Sequence, residues 1–459
     1  MNQDNFTSQA ILPALLQSLE QLNFHKMTAI QKKSLPLILK NQDIIAKAKT
    51  GSGKTLSFGI GILNKLNIKK FRVQSLVLCP TRELADQVAN ELRKLARTIP
   101  NIKILTLCGG VPMHPQKLSL QHQAHIIVGT PGRVIKHLKQ KSLSLKELDT
   151  LVLDEADRML DMGFIDDIVY ITSNTPIKKQ TLLFSATYPL EIQSLSEKIQ
   201  YKATEIKTED IDNPNNITEI LYKTTPKEKL KTLLNILGFY QPQSTIIFIN
   251  MKAYATDIIN TLQKNNIDSL AIHGDLEQYE RNDVIEQFTN KSCSILIATD
   301  VAARGLDIKD IDLIINYDLP HDYTTYIHRV GRTARAGKAG KALSIYSNLD
   351  LNKLAEYNSN NIVFEKSSSI KETQNINISS PNTTLVIEAG KKNKLRAGDI
   401  LGALTSNGEL SAQEVGNISI HDRQSYVAIK KMKIQTAYKI LSNSKIKGRK
   451  FSSWILKSK

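Results

Sequence analysis

Near the start of the chain, Ala48-Lys-Thr-Gly-Ser-Gly-Lys-Thr55 has the residue types and the spacing to hold a polyphosphate. Gly51 and Gly53 let the backbone turn tightly, so that N–H groups along Thr50, Gly51, Ser52 and Gly53 can point at phosphate oxygens. The helix that follows adds the partial positive charge of its N-terminus. Lys54 reaches the β- and γ-phosphates, and the Thr55 hydroxyl is a ligand for Mg²⁺. Ala48 stands where such loops generally begin with Gly. Further on, Leu151-Val-Leu153 ends in Asp154-Glu155-Ala156-Asp157. A carboxylate at the carboxyl end of a buried strand faces the crevice where parallel sheets bind phosphates. Asp154 then holds the metal shell, and Glu155 orients or deprotonates the water that attacks the phosphoryl group. Alone, either segment has a plainer reading, as a Gly-rich turn or a solvated helix start. Together they point to nucleotide hydrolysis.

These residues need a scaffold of buried strands. Short apolar runs alternate with helix-length amphipathic stretches: Asp43–Ala46, Ser75–Cys79, His125–Val128, Thr150–Leu153 and Thr181–Phe184 in the first half. Thr245–Ile249, Ser269–Ile272, Ser294–Ala298, Leu313–Asn316 and Ala342–Tyr346 follow in the second. Runs of this length suit strands buried on both faces, and the alternation predicts two parallel α/β sheets. The polar stretch 208–218 reads as a linker between a first domain, 1–207, and a second, 219–365. A Ser-, Asn- and Gln-rich break at 366–382 reads as flexible. Beyond it, 383–459 follows a different order. Thr384–Ile387, Val415–Ile420, Ser425–Lys430 and Phe451–Leu456 read as strands, Ala397–Thr405 and Gln435–Ser442 as helices. That β-α-β-β-α-β order predicts a ferredoxin-like α+β domain of the RNA-recognition-motif kind.

Composition narrows the partners. The net charge is +17 and the pI about 9.5, which favours a polyanion. The excess is uneven: from Thr383 to Lys459 there are 15 Lys and Arg against 5 Asp and Glu, a surplus of ten in the C-terminal module. Cys79, Cys108 and Cys293 lie far apart with no metal-ligand spacing, so they read as buried thiols. No apolar run approaches the roughly 20 residues of a membrane span, and the N-terminus lacks the pattern of a signal peptide. A cytoplasmic protein without membrane partners is expected.

Ordered segments along residues 1–365 then carry a resemblance. After Gln31 come AKTGSGKT at 48–55, PTREL at 80–84, Gly109-Gly110, TPGR at 130–133, DEAD at 154–157 and SAT at 185–187. IFIN at 247–250, ATDVAARGLDI at 298–308 and HRVGRTAR at 328–335 follow. The chain resembles the DEAD-box RNA helicases. The resemblance implies two RecA-like domains that close on ATP and RNA together. It implies that Phe24 and Gln31 read adenine, with Phe6 behind them, in a segment, Met27-Thr-Ala-Ile-Gln31, that keeps Thr28 and Gln31 but lacks the family's two prolines. It makes Arg329 and Arg332 arginine fingers, neutralising charge on the transferred group. Asp307 touches the ribose, and Ser185, Thr187 and His328 couple nucleotide to RNA. RNA backbone contacts fall to Thr81, Arg82, Gly110, Thr130, Gly132 and Arg133, and in the second domain to Asn250, Gly274, Arg281 and Thr299. Such contacts are nearly blind to base sequence.

The C-terminal module resembles the RNA-binding domain of the DbpA group, on Ile387-Glu-Ala-Gly-Lys-Lys392, Lys394-Leu-Arg396, Ala397-Gly-Asp-Ile-Leu-Gly-Ala-Leu404 and Lys445-Ile-Lys-Gly-Arg-Lys450. This implies recognition of a hairpin of large-subunit (23S) ribosomal RNA on pre-ribosomal large subunits. The first strand has no aromatic residue and the third only Tyr426, so base stacking on the sheet should be weak. Lys391, Lys392, Arg396, Lys447, Arg449 and Lys450 are the candidate contacts. Two rival readings are a DNA translocase, disfavoured by the DEAD tetrad with Gln31, and a nonenzymatic RNA-binding scaffold, disfavoured by Lys54, Glu155, Arg329 and Arg332. No DNA partner is expected.

Overall fold

The computed structural model describes the chain except residues 1–3, 49–50, 189, 208–216, 304–310, 335–338, 355–356, 358–361, 373–375 and 457–459, and the side chains of 301 and 324. It divides into two compact units, one over Met1–Asp212 and one holding Asn213–Arg304 and Ile308–Lys459. The linker expected at 208–218 falls mostly outside the described residues.

The first unit is a seven-stranded parallel sheet: Ile44–Lys47 (β1), Ser75–Leu78 (β2), Ile104–Leu107 (β3), Ile126–Gly129 (β4), Thr150–Leu153 (β5), Gln180–Ser185 (β6) and Thr204–Lys207 (β7). Its strand order is β3-β4-β2-β5-β6-β1-β7. The central strands are buried from end to end. Their alternate residues feed two cores, one around Phe58, Phe184, Val77 and Val152, the other around Leu76, Leu78, Leu151 and Leu153. That two-sided burial is why the runs read as continuous apolar segments. The unpredicted strands, β3 and β7, are the edges, where half-exposed residues such as Glu205 replace the apolar run.

The second unit begins with another parallel seven-stranded sheet: Ile217–Lys223 (β8), Thr245–Ile249 (β9), Ser269–Ile272 (β10), Ile295–Thr299 (β11), Leu313–Asn316 (β12), Gly340–Tyr346 (β13) and Ile362–Lys366 (β14). The order is β10-β11-β9-β12-β13-β8-β14. The module after it is a four-stranded antiparallel sheet of Asn382–Ile387 (β15), Val415–Ile420 (β16), Ser425–Lys430 (β17) and Ser453–Ile455 (β18), in the order β16-β17-β15-β18. Helices Ala397–Thr405 and Ile434–Asn443 cover one face through Leu385, Ile387, Val427 and Ile429. The expected α/β pair with an α+β addition is the fold.

The opposite face of that small sheet is also covered, which the sequence reading did not foresee. Val386, Tyr426 and Ala428 are buried because the sheet lies against helix Gln278–Thr289 and the turn after it. Tyr426 Oη donates to Asp283 Oδ1 at 2.8 Å, and His421 Nε2 lies 2.7 Å from Glu286 Oε1. Asn290 Nδ2 donates to Thr384 Oγ1 at 3.3 Å, and Asn417 Nδ2 to Asn290 Oδ1 at 3.2 Å. The described residues of the break at 366–382, expected to be flexible, are tied down. Ile370, Ile376 and Ile378 pack into the second unit's core, and Ser380 Oγ is 3.4 Å from Ser294 Oγ. Isolated isoleucines among polar residues carry no periodic signal, so composition alone misread this stretch. A tether that would let the module roam is therefore replaced by a docked module.

Candidate active site and RNA interface

In the first unit the motifs lie at the carboxyl ends of the strands, except the Thr28–Gln31 segment, which opens helix Ala29–Leu39 ahead of β1. The sheet order sorts them. Loops after β1, β5 and β6 carry the phosphate chemistry, and loops after β2, β3 and β4 carry the residues expected on RNA.

The phosphate loop follows β1. Gly51 and Gly53 have φ of +86° and +94°, the left-handed region that costs L-residues and suits glycine. At Gly53 a side chain would also collide, since a Cβ there would come 2.4 Å from Gln31 Nε2. Gln31 Nε2 donates to the Gly53 carbonyl at 3.1 Å, its Oε1 accepts the Thr28 N–H at 2.8 Å, and Thr28 Oγ1 donates to the Ser52 carbonyl at 2.8 Å. Thus Gln31 and Thr28 brace the loop, while Phe24 stands exposed beside them. Lys54, first residue of helix Lys54–Lys65, is buried and donates to the Ala48 carbonyl at 2.8 Å. Thr55 follows it. Thr50 and Asp307 lie outside the described residues.

Asp154 at the end of β5 is buried. Burial pushes its pKa up to about 7, against the pull of Lys54 and with the push of Glu155. Glu155 is buried with φ +52°, a left-handed backbone that costs about 1–3 kcal/mol away from glycine and clusters at functional sites. Its Oε2 is 2.9 Å from Arg158 Nη1, an ion pair off the line of a hydrogen bond. The last acid of the tetrad has a separate role. Asp157 Oδ2 accepts from Ala186 N at 3.1 Å, Thr187 N at 2.9 Å and Thr187 Oγ1 at 2.9 Å. It ties the tetrad to the Ser185–Thr187 segment, whose Ser185 carbonyl accepts the Ala48 N–H at 2.9 Å. Neither Asp157 nor Arg158 was singled out from sequence. The signal for Asp157 was its place two residues past Glu155, on the first turn of a helix.

On the RNA side, Thr81 caps helix Arg82–Leu95 by accepting Leu84 N–H at 3.3 Å. Gly110 follows β3 at φ +72°, with the Arg82 guanidinium filling the space its Cβ would take. Thr130 and Gly132 open helix Pro131–Lys139, and Arg133 reaches back to the Gly110 turn, donating to the Val111 carbonyl at 2.9 Å. Six residues from three loops thus meet along one stretch of the sheet's edge.

The second unit corrects one assignment. Arg329 on helix Tyr323–Val330 is 2% exposed and grips Asp300 with two bonds of 2.7 Å. It also donates to the Asp318 carbonyl at 2.7 Å, to Asn316 Oδ1 at 3.3 Å and to Asn250 Oδ1 at 2.9 Å. Its guanidinium lies over the Phe248 ring, 5.0 Å from the centroid. A side chain so engaged is a clamp between segments and cannot act as a finger. Adjacent arginines of one motif look alike in sequence, and the partners that hold Arg329, drawn from other segments, leave no local signal. Asn250, at the end of β9, belongs to the same clamp, its Nδ2 donating to the Leu319 carbonyl at 2.8 Å. Arg332, after that helix, is also buried, and His328 lies on the helix itself. Arg281 donates to the Ala302 carbonyl at 3.3 Å, near Thr299 at the end of β11. Gly274 has open space where a Cβ would stand.

In the C-terminal module the two basic loops adjoin. Lys391 and Lys392 are pinned by backbone bonds to the His421 and Asp422 carbonyls at 2.8 and 3.0 Å. Lys447 Nζ is 2.8 Å from Asp399 Oδ2 and 2.9 Å from the Lys394 carbonyl. Lys447 therefore braces one loop to the other, and Lys391, Lys392, Arg396, Arg449 and Lys450 lie within a few residues of that brace along the two loops.

Comparison with known proteins agrees with this layout. Residues 28–195 match the DEAD/DEAH box helicase family, 228–337 the helicase conserved C-terminal domain, and 384–454 the DbpA RNA binding domain. The ATP-dependent RNA helicase DbpA of Escherichia coli (strain K12) is 43% identical over 449 residues, 96% of this chain and 97% of the relative. DbpA of Bacillus subtilis (strain 168) is 34% identical over 97% of this chain and 98% of its own. Among solved structures, S. cerevisiae Dbp5 bound to RNA and ADP BeF3 has a TM-score of 0.73 and 29% identity, covering 80% of this chain and 96% of that one. A phosphate loop and acidic tetrad on one edge, an RNA-facing loop set beside them, and near full-length similarity to these relatives place the chain among the DEAD-box ATP-dependent RNA helicases, in their DbpA group.

Proposed function

We propose that the chain hydrolyses ATP on an RNA held by its helicase units and is directed to a hairpin of 23S ribosomal RNA, on pre-ribosomal large subunits in the cytoplasm, by its C-terminal basic loops. The observation that carries the chemical part is the buried pair Asp154 and Glu155 beside the Lys54 loop. Lys54 exchanges the Ala48 carbonyl for phosphate oxygens. Glu155, held near Arg158, orients the attacking water and accepts its proton. Arg332 supplies positive charge to the transferred group. Mg²⁺ suits the residues present. A buried carboxylate whose pKa stands near 7 gains its charge beside a divalent cation, and one carboxylate with the Thr55 hydroxyl is enough for an ion that keeps water and phosphate oxygens in its shell. That ion would neutralise phosphate charge. Thr28, Gln31 and Phe24 face the adenine end, and Asp157 relays the state of the tetrad to Ser185 and Thr187.

The targeting part rests on the match of 384–454 to the DbpA RNA binding domain and on the two braced basic loops. The test is ATPase rate against RNA concentration, using the 23S hairpin and an unrelated RNA of equal length. Replacing Lys391, Lys392, Arg449 and Lys450 by Ala should erase the preference for the hairpin and flatten the salt dependence, while hydrolysis at saturating RNA persists. Truncation is a poorer test, because it would bare the helix Gln278–Thr289 face that the module covers. Equal half-saturation by both RNAs in the unaltered protein sinks the targeting.

A further inference from the structure

Behind the RNA-facing loops of the first unit lies a buried polar cluster that the motifs do not include. Gln116, on helix Met113–Gln121, and His137, on helix Pro131–Lys139, are both buried. Gln116 Nε2 donates to the Cys108 carbonyl at 3.1 Å. Its Oε1 accepts from Arg133 Nη1 at 2.9 Å and stands 3.0 Å from His137 Nε2. On the other side of the imidazole, Nδ1 is 2.8 Å from Ser142 Oγ.

Chemistry sets the direction of each bond. A guanidinium only donates, so the amide atom facing Arg133 is the oxygen. A carbonyl only accepts, so the atom facing Cys108 is the nitrogen. Reversing the amide would set donor on donor and acceptor on acceptor. With Oε1 accepting, His137 must present Nε2–H; the Ser142 hydroxyl lies 3.2 Å from the His137 carbonyl and 2.8 Å from Nδ1, and the neutral ring, bare at Nδ1, needs the hydroxyl proton there. Burial, with Arg133 and Lys117 nearby, pushes the His137 pKa down to about 4, in keeping with a neutral ring. One Gln and one His thereby join the turn after β3 to the helix that carries Arg133.

We propose that Gln116 and His137 are positioning residues for RNA binding, holding the Arg133 guanidinium and the Gly109–Val111 turn in the arrangement that RNA backbone meets. This rests on the reading of Gly110 and Arg133 as RNA contacts. Neither buried side chain touches RNA. They remove rotamer freedom from a long cation before RNA arrives, which moves an ordering cost from binding to folding. Burial and the neighbouring Arg82 lower the Arg133 pKa, so the preformed pair of guanidiniums gains most when a phosphate joins it.

The experiment measures ATPase activity of the full chain against oligouridylate and, separately, against ATP. His137→Phe and Gln116→Leu should each raise half-saturating RNA by about tenfold, with half-saturating ATP and the rate at saturating RNA unchanged. His137→Gln, whose amide offers an N–H near the Nε2 position, should stay within about twofold. Should His137→Phe fail to fold, Ser142→Ala should shift half-saturating RNA the same way by about threefold. If half-saturating RNA does not move, or if ATP dependence moves with it, or if His137→Gln fails as badly as His137→Phe, the positioning role is overturned. Arg133→Ala separates the premises. If it weakens RNA and the cluster variants do not, only this inference falls. If Arg133→Ala is silent, the RNA reading of Arg133 falls as well.

Discussion

Two motif regions that look equally catalytic in sequence do different work. At the edge of the first unit, Lys54 opens a helix and Glu155 sits in left-handed backbone, each held by a neighbour that can let go: Lys54 by one carbonyl, Glu155 by an off-line ion pair. In the second unit, Asn250 and Asp300 are both bonded to Arg329, whose guanidinium lies over the Phe248 ring. The first arrangement stores reactive groups, and the second locks three segments into one body. A motif therefore marks a constraint, and since Lys54, Glu155 and Arg329 are all buried, the number of partners and not burial tells these two arrangements apart.

The largest effect should come from breaking the clamp. Arg329→Ala leaves the partly exposed Asp300 without its partner and should destabilise the second unit by about 3 kcal/mol, the low end for breaking a buried ion pair. Urea unfolding followed through Trp454, the chain's one tryptophan, measures it. Arg332→Ala should instead abolish RNA-stimulated ATPase while ATP binding persists; equal stability losses in the two variants would erase the distinction. Next, Glu155→Gln should keep ATP binding but slow hydrolysis by more than about a hundredfold, read in single-turnover assays. A near-normal rate would remove Glu155 from the chemistry.

A smaller effect tests whether the crevice is held at a cost. The folded-state pKa of Asp154 is raised from 3.8 to about 7. Between those values the folded protein binds the proton that the unfolded chain has lost, so this residue's contribution to stability falls as pH rises through the window. Asp154→Asn should therefore stabilise the nucleotide-free protein at pH 8 by roughly 1–2 kcal/mol, after allowance for relaxation around a buried carboxylate, and by nothing at pH 4. Melting of both proteins at the two pH values checks this, and a stabilisation that is equal at both would refute it. The smallest effect belongs to the exposed brace. Asp399→Asn, which loosens Lys447, should leave melting unchanged and weaken hairpin binding by a fewfold, measured by fluorescence anisotropy; an unchanged affinity would mean that the two basic loops act separately.

The parallel sheets were legible because strands buried on both faces leave unbroken apolar runs, as at Thr150–Leu153 and Thr245–Ile249. Edge strands such as Thr204–Lys207 and Ile362–Lys366 were missed, since exposure removes that run. The phosphate loop and acidic tetrad were legible because glycine at positive φ and acids at strand ends are local demands. Arg329 was misassigned because its partners Asn250, Asp300 and Asp318 come from other segments of the chain.

By itself, then, the order of residues determined what is local: which stretches become most of the strands and helices, where glycines and acids shape a phosphate loop, and that the basic surplus gathers in the last 77 residues. Tertiary structure alone decided which motif arginine is a clamp, that Asp157 serves the Ser185–Thr187 segment, that Gln116 and His137 stand behind Arg133, and that the small sheet's open face is covered by Gln278–Thr289. The reason is physical. Backbone conformation answers to neighbours in sequence, whereas burial and the pairing of polar groups answer to neighbours in space.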